Sequence, residues 1–227
     1  KSAELSKIAI NLFLISSISF TNTLAELCEK INADWRDIES ILRMDKRIGK
    51  FSYIKPGLGI ISGNLLRDLN NIIPILNKTG SNAVVVKSWR NHSNYSKKWL
   101  MSKISYILNK GYRVGLFGMT YKENTNTLKN SLTVEILKKY KKFKFNIFDP
   151  IIKQAPKLNN SKHLSNIDEL IKRSDALVIL TPWSFLKNYN YQKKLASFKG
   201  KVLIDPYNVF ENKSNFKYKF KIYSLGF

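Results

Sequence analysis

Near residue 110 the hydrophobic period of this chain changes, and that change limits the architecture more than any single motif does. Before it, apolar side chains recur at three- and four-residue spacing. Leu5, Ile8, Ala9, Leu12, Ile15, Phe20, Leu24, Leu27 and Ile31 follow that pattern, which predicts one long helix over residues 2–31. Asn11, Ser16, Ser17 and Ser19 interrupt the apolar run and require an explanation. A second helix is expected over 34–42, with Asp34 as N-cap and acidic residues near its positive end. The turn-rich Lys55-Pro56-Gly57-Leu58-Gly59 follows, then a helical pattern over 64–76, a break at 79–82, a short apolar run at 83–86 and a further amphipathic helix over 95–109.

From Gly111 onward, short β-branched or aromatic runs at 112–117, 144–148, 176–180 and 202–204 alternate with helical candidates at 131–140, 166–173 and 191–198. Such alternation predicts a parallel sheet covered on both faces, to which the run at 219–224 adds an edge strand. The expected organisation is therefore a helical domain over 1–110 and an α/β domain over 111–227. A length of 227 residues accommodates both.

Composition narrows the function classes. The formal net charge of +23 raises nucleic acid as a partner, but lysine far outnumbers arginine. The positive residues are spread from Lys1 to Lys221, with concentrations only at 138–144 and 213–221. The reading is a solvated basic surface with weak, salt-dependent and non-specific affinity for nucleic acid. The single cysteine, Cys28, excludes an internal disulfide and fits a reducing cytoplasm; its place in the helical stripe makes it a small core residue. The apolar stretch 8–20 is too short to span a bilayer and no signal-peptide cleavage pattern follows it, so no membrane association is expected. His92 and His163 are isolated, and no metal cluster is expected. The chain begins with Lys1 inside a helical pattern, which suggests that it continues a longer natural chain.

Specific segments then carry a resemblance. Residues 2–11, running on through Asn22, Cys28-Glu29, Ala33-Asp34 and Met44-Asp45-Lys46-Arg47-Ile48-Gly49, resemble the central helix and following segment of the UDP-glucose/GDP-mannose dehydrogenase family. An independent match is Gly118-Met119-Thr120-Tyr121-Lys122-Glu123, continuing to Lys129-Asn130-Ser131. It is followed in family order by Phe148-Asp149-Pro150, Thr181-Pro182-Trp183 and Asp205-Pro206-Tyr207-Asn208.

The resemblance implies a helical dimerisation domain followed by a Rossmann-like nucleotide-sugar-binding domain. It also implies an NAD-dependent oxidation of a sugar C6 alcohol for polysaccharide precursor synthesis, in the cytoplasm. Lys7 would stabilise a developing oxyanion and Asn11 would hold a catalytic water or substrate oxygen; four residues apart, they share one helical face. Asp68 would take part in proton movement. Arg47, Tyr53, Lys55, Gly57, Gly59, Arg67, Lys122 and Lys129 would bind substrate, a nucleoside-diphosphate sugar. The homodimer would form through the central helix.

NAD is expected on a further N-terminal domain, because no glycine-rich dinucleotide fingerprint is present in this chain and Gly57-Leu58-Gly59 is too short. The family's nucleophilic cysteine position holds Asn64, and an amide cannot form a thioester. Arg67 replaces a lysine, Lys129 and Tyr207 replace arginines, and Asn126 and Thr127 replace acids. The parent enzyme then lacks the cysteine step, stops at an aldehyde, oxidises a hydrated aldehyde directly, or has lost catalysis. These alternatives stay open, and the chain alone is expected to be inactive. The competing reading is a non-catalytic nucleotide-sugar-binding or dimerising protein derived from the same family.

Overall fold

The computed structural model describes residues 1–153, 159–210 and 215–227. Its chain divides into two compact units, one of residues 1–100 with 225–227 and one of residues 101–224. Lys213, counted above in a lysine-rich stretch, lies outside the described residues.

The first unit is helical. Helix α1 spans Ser2–Ile31, with Glu4 in its first turn and Lys30 in its last, both favourable to the helix dipole, and it ends on Asn32 in the left-handed region at φ 57°. Helix α2 is Trp35–Met44; Asp34 caps it by accepting from the Arg36 N–H. Helix α3 is Gly63–Lys78 and α4 is Val84–Asn109.

One end of the core joins Ile15 and Ile18 of α1 to Leu65, Leu69, Ile72 and Ile73 of α3. Ile15 and Leu69 have no exposed surface, and each such side chain contributes about 2 kcal/mol by burial. At the other end Ala25, Cys28, Trp35 and Ile54 cluster, and the Trp35 indole N–H donates to the Ile54 carbonyl at 3.1 Å. Cys28 is a buried core residue, as its stripe position predicts.

Two expectations are corrected here. The apolar run at 83–86 is not separate from the following helix: the Asn82 Oδ1 accepts the Val84 N–H at 2.8 Å, and α4 starts there. Three consecutive valines favour strand locally, but Val86 packs into the α1–α3 core, and tertiary packing overrides propensity. The length argument against a bilayer span also fails. α1 is a continuous helix of 30 residues, long and apolar enough by length and composition to cross a membrane, and a third of its most apolar window is buried within the chain.

The second unit is an α/β sheet of six strands in the order β3-β2-β1-β4-β5-β6, all pairs parallel. The strands are β1 (Val114–Phe117), β2 (Phe145–Phe148), β3 (Ser161–His163), β4 (Ala176–Ile179), β5 (Val202–Ile204) and β6 (Lys221–Tyr223). The central β1 and β4 are buried at every position and read as continuous apolar runs, as strands covered on both faces do.

Helices α5 (Leu132–Lys139), α6 (Ile167–Arg173) and α7 (Tyr189–Ala196) connect them, with a short 3-10 turn at Ser184–Lys187. Ser131 and Asn166 cap α5 and α6 through their side chains. β3 and the 3-10 turn have no counterpart in the sequence reading. β3 is three residues of Ser-Lys-His at a sheet edge, with neither alternation nor β-branched residues to mark it. Lys138, Lys139, Lys141, Lys142 and Lys144 are all exposed, in keeping with a solvated basic surface.

Candidate functional site

In the first unit, α1 and α3 bring five of the expected residues together. Asn11, half-buried on α1, donates through Nδ2 to Asp68 Oδ2 on α3 at 2.5 Å. Arg67 donates through Nε to the other carboxylate oxygen at 2.9 Å. Asp68 is buried, and the Arg67 guanidinium beside it holds its carboxyl below the usual carboxylate range. Burial opposes that shift, while the Asn11 hydrogen bond and the Lys7 charge support it.

Lys7 precedes Asn11 by one turn, and its ammonium is exposed. Asn64 lies one turn before Asp68, exposed in the first turn of α3. An ionised acid, two cations and two amides thus share one patch. No thiol belongs to it, because the chain's single cysteine is Cys28.

The other expected residues of this unit lie along the chain between α2 and α3. Tyr53 and Lys55 are exposed, whereas Gly57 and Gly59 are half-buried between the anchors Leu58 and Ile60. Gly59 has φ +81°, and a Cβ there would meet the Ser93 carbonyl at 2.7 Å, so only glycine fits. Arg47 lies elsewhere. It pairs with Asp45 and lines a cavity of about 640 Å³ beside Phe13, Phe20, Trp89 and His92, along the middle of α1.

In the second unit the chain winds one way from β1 to β2 and the other way from β1 to β4. Ligands of open α/β sheets bind beyond the strand ends at such a switch point. The loop leaving β1 is stitched down there. Gly118, at φ +94°, has no room for a Cβ, which would stand 2.2 Å from Thr181 Oγ1. Thr181 Oγ1 donates to the Thr120 carbonyl at 2.6 Å, Thr133 Oγ1 donates to the Gly118 carbonyl at 2.6 Å, and the Met119 N–H donates to Asp149 Oδ2 at 2.7 Å.

Beyond this seam, Thr120 Oγ1 donates to the Lys122 carbonyl at 2.8 Å, and Glu123 accepts the Ser184 N–H at 2.8 Å. The Ser184 bonds hold the Glu123 carboxyl below its usual range. Lys122 is therefore an exposed cation on a fixed backbone, with its ammonium 5.7 Å from the Tyr121 ring centroid. Lys129 is exposed just before the capping Ser131; its N–H is held by Thr127 Oγ1 at 3.2 Å. Tyr207, where the resemblance has arginine, is half-buried among core residues.

In dinucleotide-binding folds an acid soon after the first βα turn accepts the ribose hydroxyl. Here Asp149 is fully buried, and its oxygens accept the N–H groups of Met119, Ile151 and Ile152. Among the described residues there is no group of three or more His, Cys, Asp or Glu able to hold a metal ion.

The sequence reading missed Asn22 and Ser93 as functional candidates. They bond the backbone at Gly57 and Ile60. The available signal was a polar side chain on the buried side of α1.

The strand order places the second unit in the doubly wound α/β class, whose ligands bind at the switch point. Residues 1–95 match the UDP-glucose/GDP-mannose dehydrogenase family, central domain, and residues 115–212 match that family's UDP binding domain. The chain belongs to the UDP-glucose/GDP-mannose dehydrogenase family. The UDP-glucose 6-dehydrogenase of Rickettsia prowazekii is 29% identical over 99% of this chain and 54% of its own length. UDP-glucose 6-dehydrogenase YwqF of Bacillus subtilis is 29% identical over 83% of this chain and 44% of its own. The chain thus spans about half the length of the curated relatives it matches. A UDP-glucose dehydrogenase from Pyrobaculum islandicum shares the fold, with a TM-score of 0.81 at 23% identity over 100% of this chain and 51% of that one.

Proposed function

We propose that these residues form the sugar-nucleotide-binding half of an NAD-dependent nucleotide-sugar 6-dehydrogenase that supplies a polysaccharide precursor in the cytoplasm. Residues 1–110 serve dimerisation and the reacting sugar, and residues 111–227 hold the nucleoside diphosphate. The observation that carries the reading is the Asn11–Asp68 bond between α1 and α3, with Arg67 on the same carboxylate and Lys7 one turn away.

In that arrangement the Lys7 ammonium stabilises an alkoxide developing at the sugar, a charge contact that strengthens once the bound ligand excludes water. Asp68 engages the Asn11 amide N–H, which leaves the Asn11 carbonyl to accept a hydrogen bond from a sugar hydroxyl or water. Ionised Asp68 can receive a proton. Asn64 hydrogen-bonds a hydroxyl or a hydrated aldehyde. Tyr53, Lys55, Gly57 and Gly59 line the path of the ligand, Arg47, apart from this patch within one chain, approaches the ligand at the subunit interface, and Lys122 with Lys129 neutralises the diphosphate. NAD, the hydride acceptor of such a reaction, is assigned to a part of the whole protein outside these residues.

The dimer reading rests on the exposed side of α1, where Ile10, Phe13, Phe20, Leu27 and Ile31 stand uncovered at helical spacing. A second reading, a nucleotide-sugar-binding protein without catalysis, is favoured by one observation: Asn64 occupies the thiol position and Cys28 is buried elsewhere. Calorimetry on this chain tests the proposal. UDP-glucose or GDP-mannose is expected to bind and NAD is not; NAD binding with no sugar-nucleotide binding would overturn it. Turnover by the whole protein from which the chain comes separates the two readings.

A further inference from the structure

α1 carries buried polar side chains where an apolar stripe would serve packing better, and Asn22 is the one with a definite long-range task. It is more than nine-tenths buried; its Oδ1 accepts the Gly57 N–H at 2.9 Å, and its Nδ2 reaches Ser96 Oγ of α4 at 3.5 Å. Three residues beyond Gly57, the Ile60 N–H donates to Ser93 Oγ of α4 at 2.8 Å, and Ser93 is itself buried. Leu58 and Ile60 fill the core below, while Gly59 lies flush against Ser93. Residues 57–60 are therefore held from two helices, and at Gly59 the absence of a Cβ lets the backbone pack directly on Ser93.

The same segment continues into α3, whose Asp68 is tied to Asn11. The stretch from Gly57 to Asp68 is thus attached to α1 at two points, Asn22 and Asn11, separated along the helix axis by roughly 16 Å at 1.5 Å per residue.

We propose that Asn22 is a positioning residue of the sugar-nucleotide site: its carboxamide fixes Gly57 and, with Ser93, indexes the ligand-facing loop 57–60 to Lys7 and Asn11 on the same helix. The proposal rests on the nucleotide-sugar reading for the identity of the ligand. A buried amide costs desolvation that an aliphatic side chain of similar size avoids. If its role were only to fill volume, leucine would do better. If its role is to hold the loop, leucine fails and any acceptor of the same shape succeeds.

The test compares Asn22→Leu, which keeps volume and removes the acceptor, with Asn22→Asp, which keeps the acceptor. UDP-glucose and UDP are titrated calorimetrically, and exchange of the Gly57 amide is followed by NMR. Asn22→Leu is expected to raise Gly57 exchange about tenfold and lower UDP-glucose affinity about tenfold, the scale of one hydrogen bond, and Asn22→Asp to stay within about threefold on both. Wild-type affinity in Asn22→Leu, or an equal loss in Asn22→Asp, overturns the proposal. Should Asn22→Leu fail to fold, Ser93→Ala removes the second attachment and is expected to lower UDP-glucose affinity about fivefold; unchanged affinity there counts against the proposal. A wild-type chain that binds neither nucleotide overturns the nucleotide-sugar reading and the ligand half of this proposal, while Gly57 exchange still decides whether Asn22 holds the loop.

Discussion

The two units use their buried acids differently, although buried amides and hydroxyls bond to backbone in both. In the α/β unit acids and amides alike bond to backbone. Asp149 takes three N–H groups, Asp205 takes that of Phe210, Gln192 donates to the Leu186 and Val209 carbonyls, and Asn160 donates to those of Leu137 and Tyr140. In the helical unit, Asp68 is bonded by two side chains, Asn11 and Arg67, on a patch open to solvent through Lys7 and Asn64. A buried acid satisfied by backbone holds a loop in place. A buried acid satisfied by side chains can exchange a partner for a ligand. By this difference we assign Asp149 to the scaffold and, in the proposed reading, Asp68 to the site, although both are acids that the family resemblance picks out.

Substitutions at the two acids should therefore separate stability from function. Asp149→Ala leaves one buried and two part-buried N–H groups without their acceptor and is expected to cost about 3 kcal/mol, read as a fall in the urea midpoint. Asp68→Asn should cost under about 1 kcal/mol of stability, because Asn11 can re-pair with an amide. Turnover by the whole protein should nevertheless drop at least about tenfold with little change in UDP affinity. Equal stability losses in the two variants would erase the distinction.

The exposed stripe on α1 gives the next effect. Phe20→Asp puts a charge where the proposed dimer buries an aromatic ring, so sedimentation should show dimer in the wild type and monomer in the variant at micromolar concentration. A well-folded wild-type monomer would remove the dimer reading.

The smallest effect concerns Arg113 and Asp175, before β1 and β4. The Arg113 guanidinium holds the Asp175 carboxyl down to about 2 from an ordinary 3.8. A depressed carboxyl stabilises the fold above its unfolded pKa, and that contribution is lost as pH falls from about 4 to about 2. The pair is partly exposed and screened by salt, so Asp175→Asn should lower Tm by only about 2 °C at pH 7 and leave it unchanged near pH 2.

Much of this was legible in the residues. The long spacing of α1 and the apolar runs of β1 and β4 carry strong periodic signals, and Asp34 and Ser131 cap helices as their residue types predict. β3 escaped because an edge strand of three polar residues is held by pairing with β2, which no local pattern records. The Lys7–Asn11 face followed from helix geometry, but the Arg67–Asp68–Asn11 link needed α3 to pack on α1. Asn22 and Ser93 were not legible at all as a pair. They are 71 positions apart and are brought to one loop by the packing of their helices.

The most direct test of the division between units titrates UDP and UDP-glucose into the wild type, Lys122→Ala and Lys7→Ala. Lys122→Ala is expected to weaken both ligands by about 1.5–3 kcal/mol, the worth of a charge-assisted contact to the diphosphate. Lys7→Ala is expected to weaken UDP-glucose alone, because its partner is the sugar. Sugar-nucleotide binding indifferent to Lys122, or an equal loss of UDP affinity in Lys7→Ala, would contradict the account.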